Sequence, residues 1–165
     1  MNREDLEALV PGMMARHPLC AWRISESSTT TKFVVDVHLR SDPSRRAEVA
    51  AQEGWEIFTN LILGHLDIDF AYNDKDRIDA LAGRLERAAW ALTGPTHFTF
   101  TYAGGTLVRS SMDIDAEESE SNPHQSAYHW GRRMRGLLRG HIITGTAELD
   151  WPRLDPPPAV DTAHL

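Results

Sequence analysis

The sequence predicts an α+β protein: a single domain in which a mainly antiparallel sheet of four to six strands packs with three to four helices. Three observations favour this class. Residues 97–102 and 106–112 alternate in polarity around Gly104-Gly105, which is typical of a β-hairpin. Residues 74–92 carry apolar side chains at helical spacing and stop at Gly94-Pro95. The third observation is the order of the predicted elements, which is helix, strands, helix, strand, helix, hairpin, helix, strand.

Length and composition indicate one globular domain. The chain has 165 residues, and we place the domain at 1–150, followed by a proline-rich extended or disordered tail at 151–165. The single cysteine, Cys20, excludes an internal disulfide framework and fits a reducing compartment. No window approaches about 18 apolar residues, and the charged N-terminus leads into no apolar run, so we expect a cytoplasmic protein without a membrane segment.

The first third of the chain predicts two strands between two helices. An apolar stripe over residues 3–16 indicates a helix that ends or kinks at Pro11-Gly12. Strands are expected at 20–25 and at 29–40, the second because apolar and polar residues alternate there. Asp42-Pro43 fits an N-cap followed by a first helical residue, so the next helix is predicted at 43–52.

Residues 54–65 fit two structures. Trp55, Phe58, Leu61 and Ile62 have helical spacing, whereas Ile57, Thr59, Leu61 and Leu63 alternate like a strand. The low β content of 45–53 favours a helix that runs on to Leu63, with Gly64 as its C-terminal cap. The alternative is a strand that ends in a hairpin turn at Gly64-His65.

The middle of the chain predicts a strand, a long helix and a hairpin. The strand at 66–72 has Leu66, Ile68, Phe70 and Tyr72 on one face and Asp67, Asp69 and Ala71 on the other. Asn73-Asp74 caps the helix, whose expected buried stripe is Ile78, Leu81, Leu85, Ala88 and Leu92. In the hairpin, a two-residue turn places Phe100 opposite Arg109 and Tyr102 opposite Leu107.

The last third of the chain reverses in charge. Five acids lie between Asp113 and Glu120, and residues 128–141 then carry four arginines and no acid, in a protein of formal charge −7. We expect a mobile loop at 113–126, a helix at about 125–138 and a last strand at 141–149. The arginines would pair with the chain's own acids, or bind a protein partner or a small anion. A membrane or nucleic-acid contact is the least favoured alternative, because the basic patch is short and the rest of the chain is acidic.

The leading hypothesis is a small acidic protein that binds a protein partner, as an inhibitor, immunity protein or adaptor, without catalysis of its own. A negative surface steers a molecule toward basic partners, and Trp and Arg dominate interface hot spots. The predicted partner-binding residues are Asp113, Asp115, Glu117, Glu118, Glu120, Trp130, Arg132, Arg135, Arg139 and Trp151.

The second hypothesis is a small enzyme or ligand-binding domain on the polar face of the sheet. If the strands are neighbours, His38, Asp69 and His97 would meet as catalytic residues. Arg109 or Arg135 would then hold an anionic substrate. A solvated sheet face gives the same pattern without any function. A third hypothesis is a subunit of a homo-oligomer, in which the two charge blocks pair between copies.

Several classes of site lack their sequence motif. The chain has no GxGxxG, no phosphate loop, no HExxH and no paired CxxC, so we predict neither a cofactor nor a metal site. The acids from Asp67 to Asp76 lack the glycine and glutamate of an EF-hand loop. The net charge of −7 argues against general nucleic-acid binding.

Overall fold

Two antiparallel sheets and two helices make up the described protein. The computed structural model describes residues 3–26, 33–51, 57–114, 124–128 and 143–154. The elements are α1 (Arg3–Met14), β1 (Cys20–Ile24), β2 (Phe33–Leu39), β3 (Arg46–Ala51), β4 (Ile57–Ile62), β5 (His65–Phe70), α2 (Asp74–Thr93), β6 (Thr96–Ala103), β7 (Thr106–Ile114), β8 (His124–Tyr128) and β9 (Ile143–Trp151). The first sheet has the order β1-β2-β3-β4-β5, and the second has the order β8-β7-β6-β9.

The protein has α+β character, but the predicted single sheet of four to six strands with three to four helices is wrong. The described ranges contain a five-stranded sheet, a four-stranded sheet and two helices. Polarity patterns locate strands but do not assign them to sheets, because the period of two is the same in both. None of the helices in these ranges is long and apolar enough to cross a membrane.

The predicted helix at 43–52 is wrong, because Asp42 forms a turn instead of an N-cap. Its side chain accepts a hydrogen bond from the Ser44 N–H (3.1 Å), and its carbonyl accepts one from the Arg45 N–H (3.0 Å). This tight turn returns the chain, so that β3 pairs antiparallel with β2. Asp-Pro starts both helices and turns, and the sequence alone does not separate them.

The helix favoured for residues 54–63 is also wrong, since β4 and β5 form a hairpin there. The turn is Leu63-Gly64, one residue earlier than the alternative placed it, and both residues have positive φ angles (50° and 84°). Positive φ at both central positions matches the twist of antiparallel strands. It also fixes the register, in which Ile62 pairs with His65 and Leu61 with Leu66.

Both helices have an identifiable buried stripe. In α1, Leu6, Val10 and Met14 are buried, and the helix continues through Pro11 instead of ending near Val10. Pro11 itself is exposed, and this continuous stripe supplies the packing that supports the last turn. The longer helix, α2, begins where the Asn73 side chain accepts a hydrogen bond from the Asp76 N–H (3.0 Å).

The hairpin of β6 and β7 forms as predicted around Gly104-Gly105, but its register shifts by one residue. Tyr102 pairs with Leu107 as expected, whereas Phe100 pairs with Ser110 and not with Arg109. A bulge beside Val108 adds one residue to β7, and it moves every later pair by one position. At the far end of the chain, the strand predicted at 141–149 is β9, which ends at Trp151.

A continuous hydrophobic cluster connects the helices with both sheets. It includes Leu6, Val10, Val35, Val37, Leu81, Leu85, Phe98, Met112 and Trp151. Burying a side chain of this size stabilises the fold by about 1.5–3 kcal/mol. Cys20 belongs to the same cluster, and burial raises the pKa of its thiol to about 11, so this cysteine is a packing residue.

Candidate functional site

Strand β5 exposes its apolar face to solvent, which is the reverse of the usual arrangement. Leu66, Ile68, Phe70 and the adjoining Tyr72 are 37%, 46%, 57% and 80% exposed, and we call these four residues the β5 stripe. On the other face, His65 and Ala71 are fully buried and the Asp67 side chain is 11% exposed, whereas the Asp69 side chain is 49% exposed. The sequence assigned these two faces correctly, but the apolar one lies in solvent.

Two buried arginines of α2 account for this orientation. Arg84 and Arg87 are each 8% exposed, and they lie three residues apart, on the helix face that packs toward β5. Arg84 forms ion pairs with Asp67 and, at 3.3 Å, with Asp69, while Arg87 lies 3.9 Å from Asp67. Burial is the main influence on Arg87 and lowers its pKa, an effect that Asp67 opposes. The helix therefore neutralises the buried Asp67 and also pairs with the half-exposed Asp69.

His65 extends this polar cluster to the second sheet. Its Nδ1 lies 3.1 Å from the Ser110 hydroxyl on β7, and both residues are fully buried. The contact joins the end of the first sheet to the second, because β5 also packs beside β7 and β8. The polar side of β5 is thus held by α2 and by β7, which leaves the apolar side as the outer surface.

The polar residues that were predicted to share one sheet face are separated. Asp36 and His38 lie on the outer face of the first sheet, where Asp36 forms an ion pair with Arg23 at 3.2 Å. Asp69 belongs to the inner face at β5, three strands away from His38 in the same sheet. His97 lies on β6 of the other sheet. The proposed catalytic set of His38, Asp69 and His97 therefore does not share a common sheet face.

His97 instead has partners of its own. It lies between Asp113 on β7 and Asp150 on β9, which are its direct cross-strand neighbours. Its Nδ1 is 2.6 Å from Asp150 Oδ1, and its Nε2 is 3.2 Å from the Thr99 hydroxyl. The hydrogen bond to Asp150 is the largest cause of a raised pKa at His97, and Glu148 and Asp113 add to it.

We expect Asp150→Asn to lower the pKa of His97, because this change removes both the hydrogen bond and the charge. The contact stabilises the folded protein fully below the unfolded value of 6.5, and the contribution is lost as pH rises through the raised folded value. NMR titration of the His97 ring measures both proteins. Glu148→Gln, which removes charge without a hydrogen bond, should give a smaller shift. An unchanged midpoint in Asp150→Asn would contradict the assignment.

The predicted partner-binding residues fall mainly outside the described ranges. This applies to Asp115, Glu117, Glu118, Glu120, Trp130, Arg132, Arg135 and Arg139. The predicted helix at 125–138 is corrected at its start, since 124–128 form β8, and the rest of it also lies outside the described residues. Asp113 is a half-buried residue of β7.

Trp151, expected to begin a free tail, is the last residue of β9 and is only 8% exposed. Its ring packs edge-on against Phe98 at 5.0 Å, and the Arg45 guanidinium lies 5.1 Å from the ring centroid. These contacts place Trp151 in the core, with little surface left for a partner.

Sequence reasoning missed the buried arginines and the pairing of Asp150. A signal for Arg84 was present, because this residue follows Leu81 by three and precedes Ala88 by four, which places it within the predicted apolar stripe. A charge at such a position requires a buried counter-charge. Asp150 gave no comparable signal, since its partner His97 is more than fifty residues away.

The described ranges contain no group of three His, Cys, Asp or Glu side chains arranged to hold a metal ion. Comparison of the chain with protein-family models, with curated proteins and with solved structures found no match.

Proposed function

We propose that the protein binds a protein partner of net positive charge through the β5 stripe. One observation carries this proposal: four large side chains are exposed in a row along the edge strand β5 and the residues just after it, while the opposite face of the strand buries Asp67. Contiguous apolar patches on a folded protein mark interaction sites, whereas single exposed apolar residues are ordinary.

The energetics favour a binding role for the stripe. Full burial of each of these side chains would stabilise the fold by about 1.5–3 kcal/mol. At this strand the fold instead buries Asp67 together with Arg84 and Arg87. Aromatic residues in the middle of an interface carry much of its binding free energy. Phe70 and Tyr72 are the most exposed members of the stripe, so they are the expected anchors.

The charge of the protein favours a basic partner. The chain carries a formal net charge of −7, and the stripe ends beside the acidic first turn of α2. There the Tyr72 N–H lies 3.5 Å from the Asp76 carboxylate. Complementary charge speeds association and makes it sensitive to salt. The acids from Asp115 to Glu120 remain a predicted second contact, and the cytoplasm, which suits a chain with one cysteine, is the compartment that we propose.

A double substitution tests the stripe. Ile68→Thr/Phe70→Thr removes two apolar side chains of the stripe, among them the expected anchor Phe70, and introduces threonine, which is favoured in strands, so the fold should persist. Leu149→Thr is the matched control, because Leu149 is 39% exposed on the second sheet, away from the stripe. Each protein is immobilised, the proteins retained from native lysate at low salt are identified, and the stoichiometric one is purified and titrated by calorimetry.

We expect the purified partner to be basic and to bind the control like the wild type. Its affinity for the stripe variant should be about 30-fold weaker, which corresponds to about 2 kcal/mol at a hot spot, and binding should weaken with salt. Equal affinity for the stripe variant and the control would overturn the proposal. So would an acidic partner, or a wild-type dimer in sedimentation that the stripe variant converts to monomer, since a second copy would then occupy the stripe.

A further inference from the structure

Strand β9 is the one end of the two sheets that no other described element covers. The sheet orders place β1, β5, β8 and β9 at the ends. Among the described elements, β1 packs beside both helices, and β5 and β8 pack beside each other, whereas β9 packs extensively only against its pairing partner β6. Within the described part of the chain, the outer edge of β9 is therefore open.

The exposure of β9 shows that this strand is accessible on both faces. Residues 145–150 are all exposed, although the residues opposite them on β6 include the buried Phe98 and Phe100. Along an edge strand, every second residue directs its N–H and C=O away from the sheet. At nine residues, β9 is longer than the usual strand of about five or six, and it contains neither proline nor lysine, two residue types that protect exposed edges. The strand is therefore a template for a further strand.

The side chains of β9 carry negative charge along this edge. Glu148 and Asp150 are two residues apart, so both lie on the face that they share with Thr99 and His97 of β6. Both acids are exposed, and Asp150 keeps 79% of its side chain accessible while it bonds His97. Arg109, expected to hold an anion, lies on β7 and is separated from β9 by β6. A strand added at this edge would therefore meet two carboxylates at alternate positions.

We propose that the β9 edge binds an extended segment of another protein that carries Lys or Arg at alternate positions. The segment would pair with β9 through main-chain hydrogen bonds, as a further strand of the second sheet. Its basic side chains would lie opposite Glu148 and Asp150, because cross-strand neighbours are about 5 Å apart and opposite charges there attract. A second copy of the chain fits worse, since it would bring its own acids and a net charge of −7 to the edge. The site is independent of the partner proposed for the β5 stripe, which lies near β8 at the other end of this sheet.

Three short peptides test this proposal. The probe is acetyl-TKVKVKT-amide, in which lysine alternates with valine, a residue favoured in strands. Acetyl-TKKKVVT-amide has the same composition without the alternation, and acetyl-TEVEVET-amide reverses the charge. Each peptide is titrated into the full-length protein, and backbone amide shifts are followed by NMR. We expect the probe to bind about tenfold more tightly than the peptide without alternation, with the shifts centred on residues 145–150, and the acidic peptide to show no saturable binding.

A charge reversal on β9 separates strand pairing from general attraction to an acidic protein. Glu148→Lys/Asp150→Lys should lose the probe and bind acetyl-TEVEVET-amide, and this gain of binding requires an intact fold. Glu4→Lys/Asp79→Lys changes the net charge equally at exposed positions of the two helices and should keep the preference for the probe. No saturation at millimolar probe, equal binding of the probe and the peptide without alternation, or an unchanged preference in the β9 variant would each overturn the proposal. So would a wild-type dimer with contacts between two copies of β9, since a second copy would then occupy the edge.

Discussion

Arg84→Ala should lower the free energy of unfolding by about 3–5 kcal/mol, the loss expected when a buried ion pair keeps only one partner. Asp67, whose side chain is 11% exposed, would lose its closest counter-charge, and Arg87 at 3.9 Å replaces it only in part. Urea unfolding monitored by tryptophan fluorescence measures the change. Loss of the ion pair would also weaken the contact that holds the acidic face of β5 inward.

Arg77→Ala is the matched control for this experiment. Arg77 belongs to the same helix and pairs with Asp74 at 3.0 Å, but the Asp74 side chain is 58% exposed. An exposed pair of this kind contributes about 1 kcal/mol or less. The double variant Arg84→Met/Asp67→Leu should recover only part of the loss, because it removes both charges of the closest pair but also takes from the buried Arg87 its carboxylate at 3.9 Å. A cost for Arg84→Ala no larger than that for Arg77→Ala would contradict this account of β5.

Gly94→Ala should destabilise the protein by about 3 kcal/mol, since two effects act together. The φ angle of 71° is unfavourable for a residue with a Cβ. A Cβ would also lie 2.7 Å from the Trp151 carbonyl oxygen and closer still to that of Pro152, which are backbone atoms that do not rotate away. Thermal and urea unfolding both report the loss.

Gly83→Ala, in the same helix, should instead stabilise the protein. Gly83 is exposed in the middle of α2, and an added Cβ would contact nothing within 4 Å. Alanine is favoured over glycine in a helix interior by about 1 kcal/mol, so this variant should be more stable than the wild type. Two identical substitutions eleven positions apart would therefore shift the unfolding midpoint in opposite directions. Shifts of the same sign would contradict the packing described at Gly94.

Local signals predicted the elements whose chemistry is unambiguous. Asn73 and Gly94 bound α2 as expected, and Gly104-Gly105 turns the hairpin of β6 and β7. Asp42-Pro43 misled the prediction because helix starts and β-turns share these residues. The segment that became β4 lacked a decisive period, and a partner strand on each side determined its structure.

The candidate site was harder to predict than the fold. Alternation along residues 66–72 separated the two faces correctly, but the usual assumption that the apolar face is buried placed them the wrong way round. The pairing of Asp67 and Asp69 with Arg84 turns the polar face of β5 toward the helix, and this pairing depends on tertiary contacts. The meeting of His97 with Asp150 likewise depends on which strand lies next to β6.

The exposed apolar face of β5 also affects how the protein behaves in solution. At neutral pH, mutual repulsion between molecules of net charge −7 keeps the β5 stripes of neighbouring molecules apart. Near the isoelectric point of about 5.6 that repulsion vanishes, and an exposed strand with Ile68 and Phe70 on its surface favours self-association. We therefore expect the lowest solubility in mildly acidic buffer and at high ionic strength, so the protein should be purified at alkaline pH and low salt.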